Sequence, residues 1–226
     1  FSVMPPYEPI DPDFSVMPPS YPVVPPYVPC LFCSNNQWVR GSIRLLNAAT
    51  GYNPFSIWID GRLASSGLGF PEITRYNQIS QGYHVFTVAG TNGYTYLRKS
   101  LYVGGGMAII NAPTGLDLTV IEDTTCPSGY NSACFRVCNL AYYSGPVNAA
   151  IGNVYFNSVQ FKDAASFSPF NAGSYLLSVS RSARPETTLV TTPVILNPRR
   201  IYTAYVLNWN PSPDTIQTLL VEDRRN

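Results

Sequence analysis

The sequence is poor in charged residues, and this shortage excludes several classes of function. Charged residues make up 12% of the 226 residues, against about 25% in an average soluble domain. The formal net charge is +1, which argues against nucleic acid or an anionic membrane surface as a partner. Because little self-repulsion keeps copies apart, such a surface favours packing against other protein surfaces.

Long apolar runs are also missing. No run approaches the roughly 20 residues that a membrane-spanning helix requires, so we expect no membrane span. The sequence begins with Phe1, which indicates either a removed leader or a start inside a longer chain.

Patterns that carry catalysis or cofactors are scarce as well. There is one histidine, His84, within an apolar strand pattern, and we expect a structural role for it. Gly104-Gly105-Gly106 lacks the Lys-Ser/Thr of a phosphate-binding loop and is predicted to form a turn. The pairs Glu122-Asp123 and Glu222-Asp223 suit strand ends, although a calcium site there is an alternative. We predict no enzymatic activity, no cofactor and no metal.

What is abundant indicates an all-β protein. The chain holds 21 Pro, 16 Gly and 16 Tyr, with many Val, Ile, Thr and Ser. Short β-branched and aromatic segments separated by Gly, Pro and Asn are typical of strands and turns.

Residues 1–36 form a distinct proline-rich arm. Ten prolines lie between Pro5 and Pro29, and the hexapeptide Phe-Ser-Val-Met-Pro-Pro occurs at Phe1–Pro6 and again at Phe14–Pro19. Proline-rich chain favours the extended polyproline II conformation. A flexible linker is the simpler interpretation, but linkers avoid large apolar side chains.

The arm is instead predicted to dock on a partner. A stiff segment with apolar side chains resembles a docking peptide, because it loses little entropy on binding. The candidate contact residues are Phe1, Val3, Met4, Tyr7, Ile10, Phe14, Val16, Met17, Tyr21, Val23 and Tyr27.

The remainder of the chain is an internal repeat. Corresponding segments are Ile43–Ala48 and Phe135–Leu140, Phe55–Ile59 and Val147–Ile151, Gly69-Phe70 and Gln160-Phe161, Gln81–Val88 and Ala172–Val179, Ser100–Val103 and Pro193–Leu196, and Val120–Asp123 and Leu220–Asp223. The turns Asp60-Gly61 and Gly152-Asn153 are two-residue hairpin sequences. Each copy supplies about seven strands, which predicts two immunoglobulin-like, Greek-key β-sandwiches over residues 37–123 and 124–226. A single larger barrel is the alternative.

The five cysteines are disulfide candidates: Cys30, Cys33, Cys126, Cys134 and Cys138. Redox catalysis by Cys30-x-x-Cys33 and a four-cysteine zinc site are alternatives that the spacing disfavours. Four residues along a strand span about 13 Å, whereas the Cα atoms of a disulfide lie within about 7 Å. Cys134 therefore cannot bond Cys138, and we expect arm cysteines to bridge to the second domain, in the same molecule or a neighbour.

Aromatic residues offer a second candidate surface. Trp58 lies on the strand face opposite Phe55, Ile57 and Ile59, where it is predicted to be an interface anchor. A platform that stacks on a glycan is the alternative.

The repeated Arg-x-x-Asn-Ala segment, the hairpin before Gly-x-x-Phe, the strand Gly82–Val88 and the closing Glu-Asp resemble domain-of-unknown-function family 4397. The resemblance covers residues 41–226 and implies two tandem β-sandwiches on a secreted or surface protein. The arm is similar in architecture to the cysteine-bearing arms of endospore appendage subunits in Firmicutes.

We therefore predict a structural subunit of an extracellular filament on a cell or spore surface. The arm would dock on neighbouring copies, and disulfides would reinforce the contact. The alternative is a tandem adhesin that contacts a glycan or cell wall, with the arm as a spacer.

Overall fold

A computed structural model describes residues 40–103, 105–122, 126 and 131–223. Within them the chain forms sixteen β-strands and no helix. None of this described part could cross a bilayer as a helix. Predictions for the arm, including its contact residues, Cys30 and Cys33, lie outside the described residues.

The strands divide into two sets of eight. The first set is β1 (Arg40–Asn47), β2 (Phe55–Ile59), β3 (Arg62–Leu68), β4 (Asn77–Ser80), β5 (Gly82–Gly90), β6 (Thr95–Val103), β7 (Gly105–Ala112) and β8 (Gly115–Glu122). The second set is β9 (Ala133–Asn139), β10 (Val147–Ile151), β11 (Val154–Val159), β12 (Ser168–Phe170), β13 (Gly173–Arg181), β14 (Arg184–Leu196), β15 (Ile201–Asn208) and β16 (Ile216–Asp223).

Each set builds two four-stranded sheets with the same topology. The first unit has the sheets β4-β1-β7-β8 and β3-β2-β5-β6. The second unit repeats them as β12-β9-β15-β16 and β11-β10-β13-β14. The prediction of an all-β, sandwich-like fold is confirmed. Each unit has eight strands rather than the predicted seven.

The hairpins follow from local sequence. Asp60 and Gly61 connect β2 to β3 with φ of 50° and 77°, the left-handed backbone that a two-residue turn between twisted strands requires. Gly152 and Asn153 connect β10 to β11 at the equivalent place, with φ of 55° at Gly152. Both predicted hairpin turns are confirmed.

One turn prediction is wrong. Gly105 and Gly106 are not in a turn but begin β7, where they pair with Glu122 and Ile121. Gly106 also lies opposite Arg44 on β1. The glycines were misread because a strand with little side-chain surface lacks the apolar alternation by which strands are recognised.

We call the sheets β4-β1-β7-β8 and β12-β9-β15-β16 the inner sheets and the other two the outer sheets. A parallel pair of strands lies at the centre of each inner sheet. β1 runs parallel to β7, and β9 runs parallel to β15 in the equivalent register, so that Arg44 pairs with Gly106 and Arg136 with Thr203. The first strand of each unit is therefore a central strand of its sheet, and one of its two neighbours is the seventh strand of the same unit.

Each sandwich has its own apolar core. In the first unit, Phe55, Ile57 and Ile59 of β2 alternate with partly exposed residues and pack against Phe86 and other buried side chains. In the second unit, Phe135 and Val137 of β9 lie in the corresponding core. The predicted placement of Trp58 on the face opposite Phe55, Ile57 and Ile59 is confirmed.

A buried asparagine lies at the end of the first strand of each unit, Asn47 in β1 and Asn139 in β9. Asn139 donates to the carbonyls of Gly145 and Val159 at 2.9 Å and accepts from the backbone N–H of Ala141. Asn47 repeats two of these bonds, to Leu68 and Ala49. The repeated asparagine thus holds the loop that follows the strand.

Candidate functional site

The two sandwiches are joined through a third apolar cluster between their inner sheets. Residues of β1, β7 and β8 pack there against residues of β9 and β15. The cluster contains Leu46, Ala48, Ala108, Ile110 and Ile121 from the first unit, and Cys138, Leu140, Tyr205 and Leu207 from the second. We call this contact the junction. Its burial makes the two sandwiches one four-layered body.

A buried arginine from the first unit crosses the junction. Arg44 pairs with the carboxylate of Asp223, and its side chain is 4% exposed. It also donates to the Glu222 carbonyl at 3.2 Å and lies 4.7 Å from the ring centre of Tyr76. Burial alone would lower the pKa of Arg44, but Tyr205 and Asp223 raise it above its ordinary value. The guanidinium therefore stays charged inside the junction.

The equivalent arginine of the second unit, Arg136, contacts the first unit across the junction. Arg136 donates to the Glu122 carbonyl at 2.9 Å and to the Thr203 hydroxyl at 2.9 Å. Its guanidinium lies 4.4 Å from the ring centre of Phe167. Each unit thus contributes one arginine that binds the end of the other unit's last strand: Arg44 binds the end of β16, and Arg136 binds the end of β8.

A half-exposed ion cluster supports the same contact. Asp117 on β8 pairs with Lys99 of its own unit at 2.6 Å and with Lys162 of the second unit at 3.0 Å. Burial alone would raise the pKa of Asp117, but the hydrogen bonds from both lysines lower it. Asp117 therefore carries its charge at neutral pH and links the two units.

Glu222 and Asp223 thus serve the junction. Asp223 also accepts from the Thr203 hydroxyl, and the Glu222 side chain pairs with Arg200 at 2.7 Å. In the described ranges, no three His, Cys, Asp or Glu side chains gather as metal ligands. At Glu222-Asp223 both carboxylates already pair with arginines, Glu222 with Arg200 and Asp223 with Arg44. This argues against the alternative of a calcium site at these two residues.

The cysteines of the second unit are arranged differently from the prediction. Cys134 forms a disulfide with Cys126, with Cα atoms 6.1 Å apart, rather than with an arm cysteine. Cys138 is a free, fully buried thiol in the junction. Burial raises the pKa of Cys138 to about 12. The expected bridge from the arm to Cys134 is not formed, because Cys134 is bonded to Cys126, eight residues earlier in the chain.

His84 lies inside a polar cluster at the start of β5. Its Nδ1 lies 2.6 Å from the Asp60 carboxylate, and its Nε2 lies 2.9 Å from the Ser80 carbonyl. Asp60 also accepts from the Val85 N–H. These contacts tie the β2–β3 hairpin to the end of β4, so the histidine connects the two sheets of its sandwich.

The outer sheet of the first unit presents apolar side chains to solvent. We call the surface formed by Trp58, Leu63, Tyr83, Val85 and Tyr102 the first outer face. Leu63, Tyr83 and Tyr102 are 54%, 76% and 51% exposed. Tyr83 and Tyr102 are paired across β5 and β6, with ring centres 5.5 Å apart. A soluble sheet face of this kind is usually polar, so such a patch indicates an interaction surface.

The second unit repeats this pattern at equivalent positions. Its outer face exposes Tyr155, Leu176 and Ile195. Tyr155 corresponds to Leu63, because Tyr155 pairs with Ala150 and Leu63 pairs with Trp58. Ala150 and Trp58 occupy equivalent positions in the two repeats. We call this the second outer face.

Among the predicted site residues, the structure places Trp58 on the first outer face, half-buried. Its role as an interface anchor stays a prediction. The tyrosines beside it were missed, although the alternation of Tyr83, His84, Val85 and Phe86 already places Tyr83 with Val85 on the outward side.

Comparison with known proteins supports the predicted family over part of the chain. Residues 41–150, from β1 into β10, match the family model of a domain of unknown function, DUF4397. No curated protein matches the chain.

One solved structure can be compared with the fold. It is a Bacteroides fragilis protein provisionally described as a cell adhesion protein, with 9% identity over 82% of this chain and 98% of that chain. The TM-score is 0.20, which is too low for the two folds to count as the same.

Proposed function

We propose that the chain is a structural subunit of an extracellular or surface filament, in which the N-terminal arm of one copy docks on its neighbour. The observation that carries the proposal is the repeated exposure of large apolar side chains on both outer faces. Tyr83 and Leu176 are exposed at 76% and 61%. Copies of such a chain bury these faces when they assemble.

The junction supports the role of a building block. Two arginines and an apolar cluster lock the sandwiches together, so a force on one unit is passed to the other. A contact between an arm and the body of the next copy is head-to-tail, and such a contact generates a filament when it does not close.

The disulfide supports an oxidising location. Disulfides persist in secreted and surface proteins and are rare in the cytosol, and the chain carries one between Cys126 and Cys134. This favours an extracellular or surface protein. A spore surface and an appendage remain parts of the proposal.

The arm cysteines supply the proposed covalent reinforcement. Cys126 and Cys134 bond each other, and Cys138 is buried. The body therefore offers no exposed thiol among its described residues, and Cys30 and Cys33 would join the arms of neighbouring copies. A non-reducing gel tests this: covalent multimers should disappear in Cys30→Ser/Cys33→Ser and persist in Cys138→Ser. Multimers that survive the first variant would contradict the idea.

Deletion of the arm tests assembly directly. Purified chain with and without residues 1–33 is compared by light scattering and negative-stain microscopy under oxidising conditions. The control replaces residues 1–33 with a Gly/Ser segment of equal length, which preserves length but removes the prolines and apolar side chains. We expect polymers only for the intact chain. Polymers from the Gly/Ser variant, or monomers from the intact chain, would overturn the proposal.

A second candidate function is a glycan-binding adhesin with the arm as spacer. The observation that favours it is the exposure of Tyr94 and Trp209, at 63% and 56%, outside the two outer faces. Exposed aromatic rings suit stacking on sugars. A glycan array separates the two functions, because adhesin binding should survive arm deletion and should be lost in Tyr94→Ala or Trp209→Ala.

A further inference from the structure

The first outer face is built as a row across four strands. Leu63, Trp58, Thr87 and Arg98 are successive cross-strand partners on β3, β2, β5 and β6. Because side chains alternate along a strand, Tyr83 and Val85 share the face with Thr87. The face thus has an aromatic end, formed by Tyr83 and Tyr102, and a cationic side chain, Arg98, four residues before Tyr102 on the same strand.

Aromatic side chains on an exposed surface are the usual receptors for proline-rich peptides in the polyproline II conformation. The arm has this chemistry, with the pairs Pro5-Pro6, Pro18-Pro19 and Pro25-Pro26. Proline rings pack on the faces of tyrosine and tryptophan, and the preformed helix loses little conformational entropy on docking.

Charge selects the first outer face over the second. Residues 1–36 contain Glu8, Asp11 and Asp13 but no Lys or Arg. Arg98 is exposed on the first outer face. The equivalent residue on the second is Thr191, the partner of Ser178. An acidic segment is therefore better matched by the first outer face.

The spacing of the arm fits the same face. Arg98 and Tyr102 are four residues apart on β6, or about 13 Å along an extended strand. Asp13 and Pro18 are five residues apart, or about 15 Å in a polyproline II helix. With Asp13 at Arg98, the pair Pro18-Pro19 falls on the tyrosine pair, and the apolar residues between them cover Val85, which lies between the two ends of the site.

The position and length of the arm allow a neighbour to be reached. β1 begins at Arg40, which is paired with Ser80, three residues before Tyr83. The described part of the chain thus begins at the end of the sandwich at which Tyr83 lies. The 36 residues of the arm would span about 110 Å if extended as polyproline II, several times the length of the face.

We infer that the segment Asp13–Pro19 of one copy docks on the first outer face of another copy, with Asp13 at Arg98 and Pro18-Pro19 on Tyr83 and Tyr102. This inference rests on the proposed function and names the surface that the arm uses.

Photo-crosslinking of the full chain tests the inference. Benzoylphenylalanine replaces Phe14, and ¹⁵N-labelled and unlabelled copies are mixed before assembly, irradiated and digested for mass spectrometry. We expect adducts that join an arm peptide to a peptide of β2, β5 or β6 carrying the opposite label. Adducts confined to one label would show that the arm folds onto its own body, and adducts elsewhere would show another surface. Either result overturns the inference.

Substitutions on the face sharpen the test. Tyr83→Thr/Tyr102→Thr should lower the adduct yield about tenfold or more, because two aromatic anchors are lost. The matched control, Leu176→Thr/Ile195→Thr on the second outer face, should leave the yield unchanged. Arg98→Glu should lower the yield about threefold, and Asp13→Arg in the same chain should restore it. Equal losses in the test and control variants would overturn the assignment.

Light scattering separates the two possible failures. If the intact chain stays monomeric, the proposed function fails. If it assembles but the arm adducts lie on another surface, the proposed function stands and only this inference fails.

Discussion

Arg44, on the first strand of the body, forms a buried ion pair with Asp223, on the last strand. The side chains are 4% and 5% exposed, so neither charge is compensated by water. The pair thus joins the first and the last of the described strands, β1 and β16, across the junction.

Breaking this pair should be costly. In Arg44→Ala, Asp223 stays buried without its cation, and we expect the free energy of unfolding to fall by about 3–5 kcal/mol. Arg44→Met/Asp223→Leu should recover most of the loss, because neither charge is then left alone. Denaturant titration followed by tryptophan fluorescence measures both.

The control for this prediction is the exposed pair of Arg200 and Glu222, whose side chains are 58% and 45% exposed. Arg200→Ala should change the free energy of unfolding by less than about 1 kcal/mol. If both alanine variants lost the same stability, the junction pair would have no special role.

The buried asparagine at the end of β9 should be equally sensitive. Asn139→Ala removes three hydrogen bonds and leaves the Gly145 and Val159 carbonyls without this donor. We expect a loss of about 3 kcal/mol. Asn210→Ala, at an exposed site, is the control and should change little. Thermal unfolding by circular dichroism measures the difference, and a stable Asn139→Ala variant would refute the assigned role.

Cys138 should not react in the folded protein. Burial raises the pKa of Cys138 to about 12, so at pH 8 the side chain is a protonated thiol shielded by the junction. A Cys30→Ser/Cys33→Ser variant, labelled with a disulfide reagent, should show a free thiol only after unfolding. Labelling of the native chain at the rate of an exposed thiol would mean that the junction opens.

Alkaline pH should destabilise the protein through Cys138 and Tyr205, which both lie in the apolar cluster of the junction. Burial raises the pKa values of both Cys138 and Tyr205 above their ordinary values, so the folded state retains protons that the unfolded state releases. Stability is complete below the ordinary thiol pKa of about 8.5 and falls as the pH rises above it. Urea titrations between pH 7 and pH 10 measure the trend, which should be weaker in Cys138→Ala. Constant stability over this range would contradict the prediction.

Much of the fold was predictable because the repeat preserves local patterns. The alternation of Phe135 and Val137 places them in the core, and Asp60-Gly61 carries its turn within two residues. Such signals are local. The parallel pairing of β1 with β7 was not predictable, since nothing near Arg40–Asn47 specifies a partner some sixty residues later.

The candidate surfaces were only partly predictable. The period of two along a strand places Cys134, Arg136 and Cys138 on one face of β9, but it does not show that this face packs against its counterpart in the first unit. An arginine at the same place in two apolar strands, with Glu-Asp at both closing strands, was the available signal. Its meaning depends on how the two units meet, which sequence periodicity does not encode.

The central position of β1 constrains how the chain matures. As the ribosome releases the chain from its N-terminus, β1 emerges first, but its parallel partner β7 follows only after five intervening strands. Until then the strand has only the short edge strand β4 to pair with. Nascent chains would therefore spend much of translation with an unfinished sheet, the state in which β proteins are prone to misassociation.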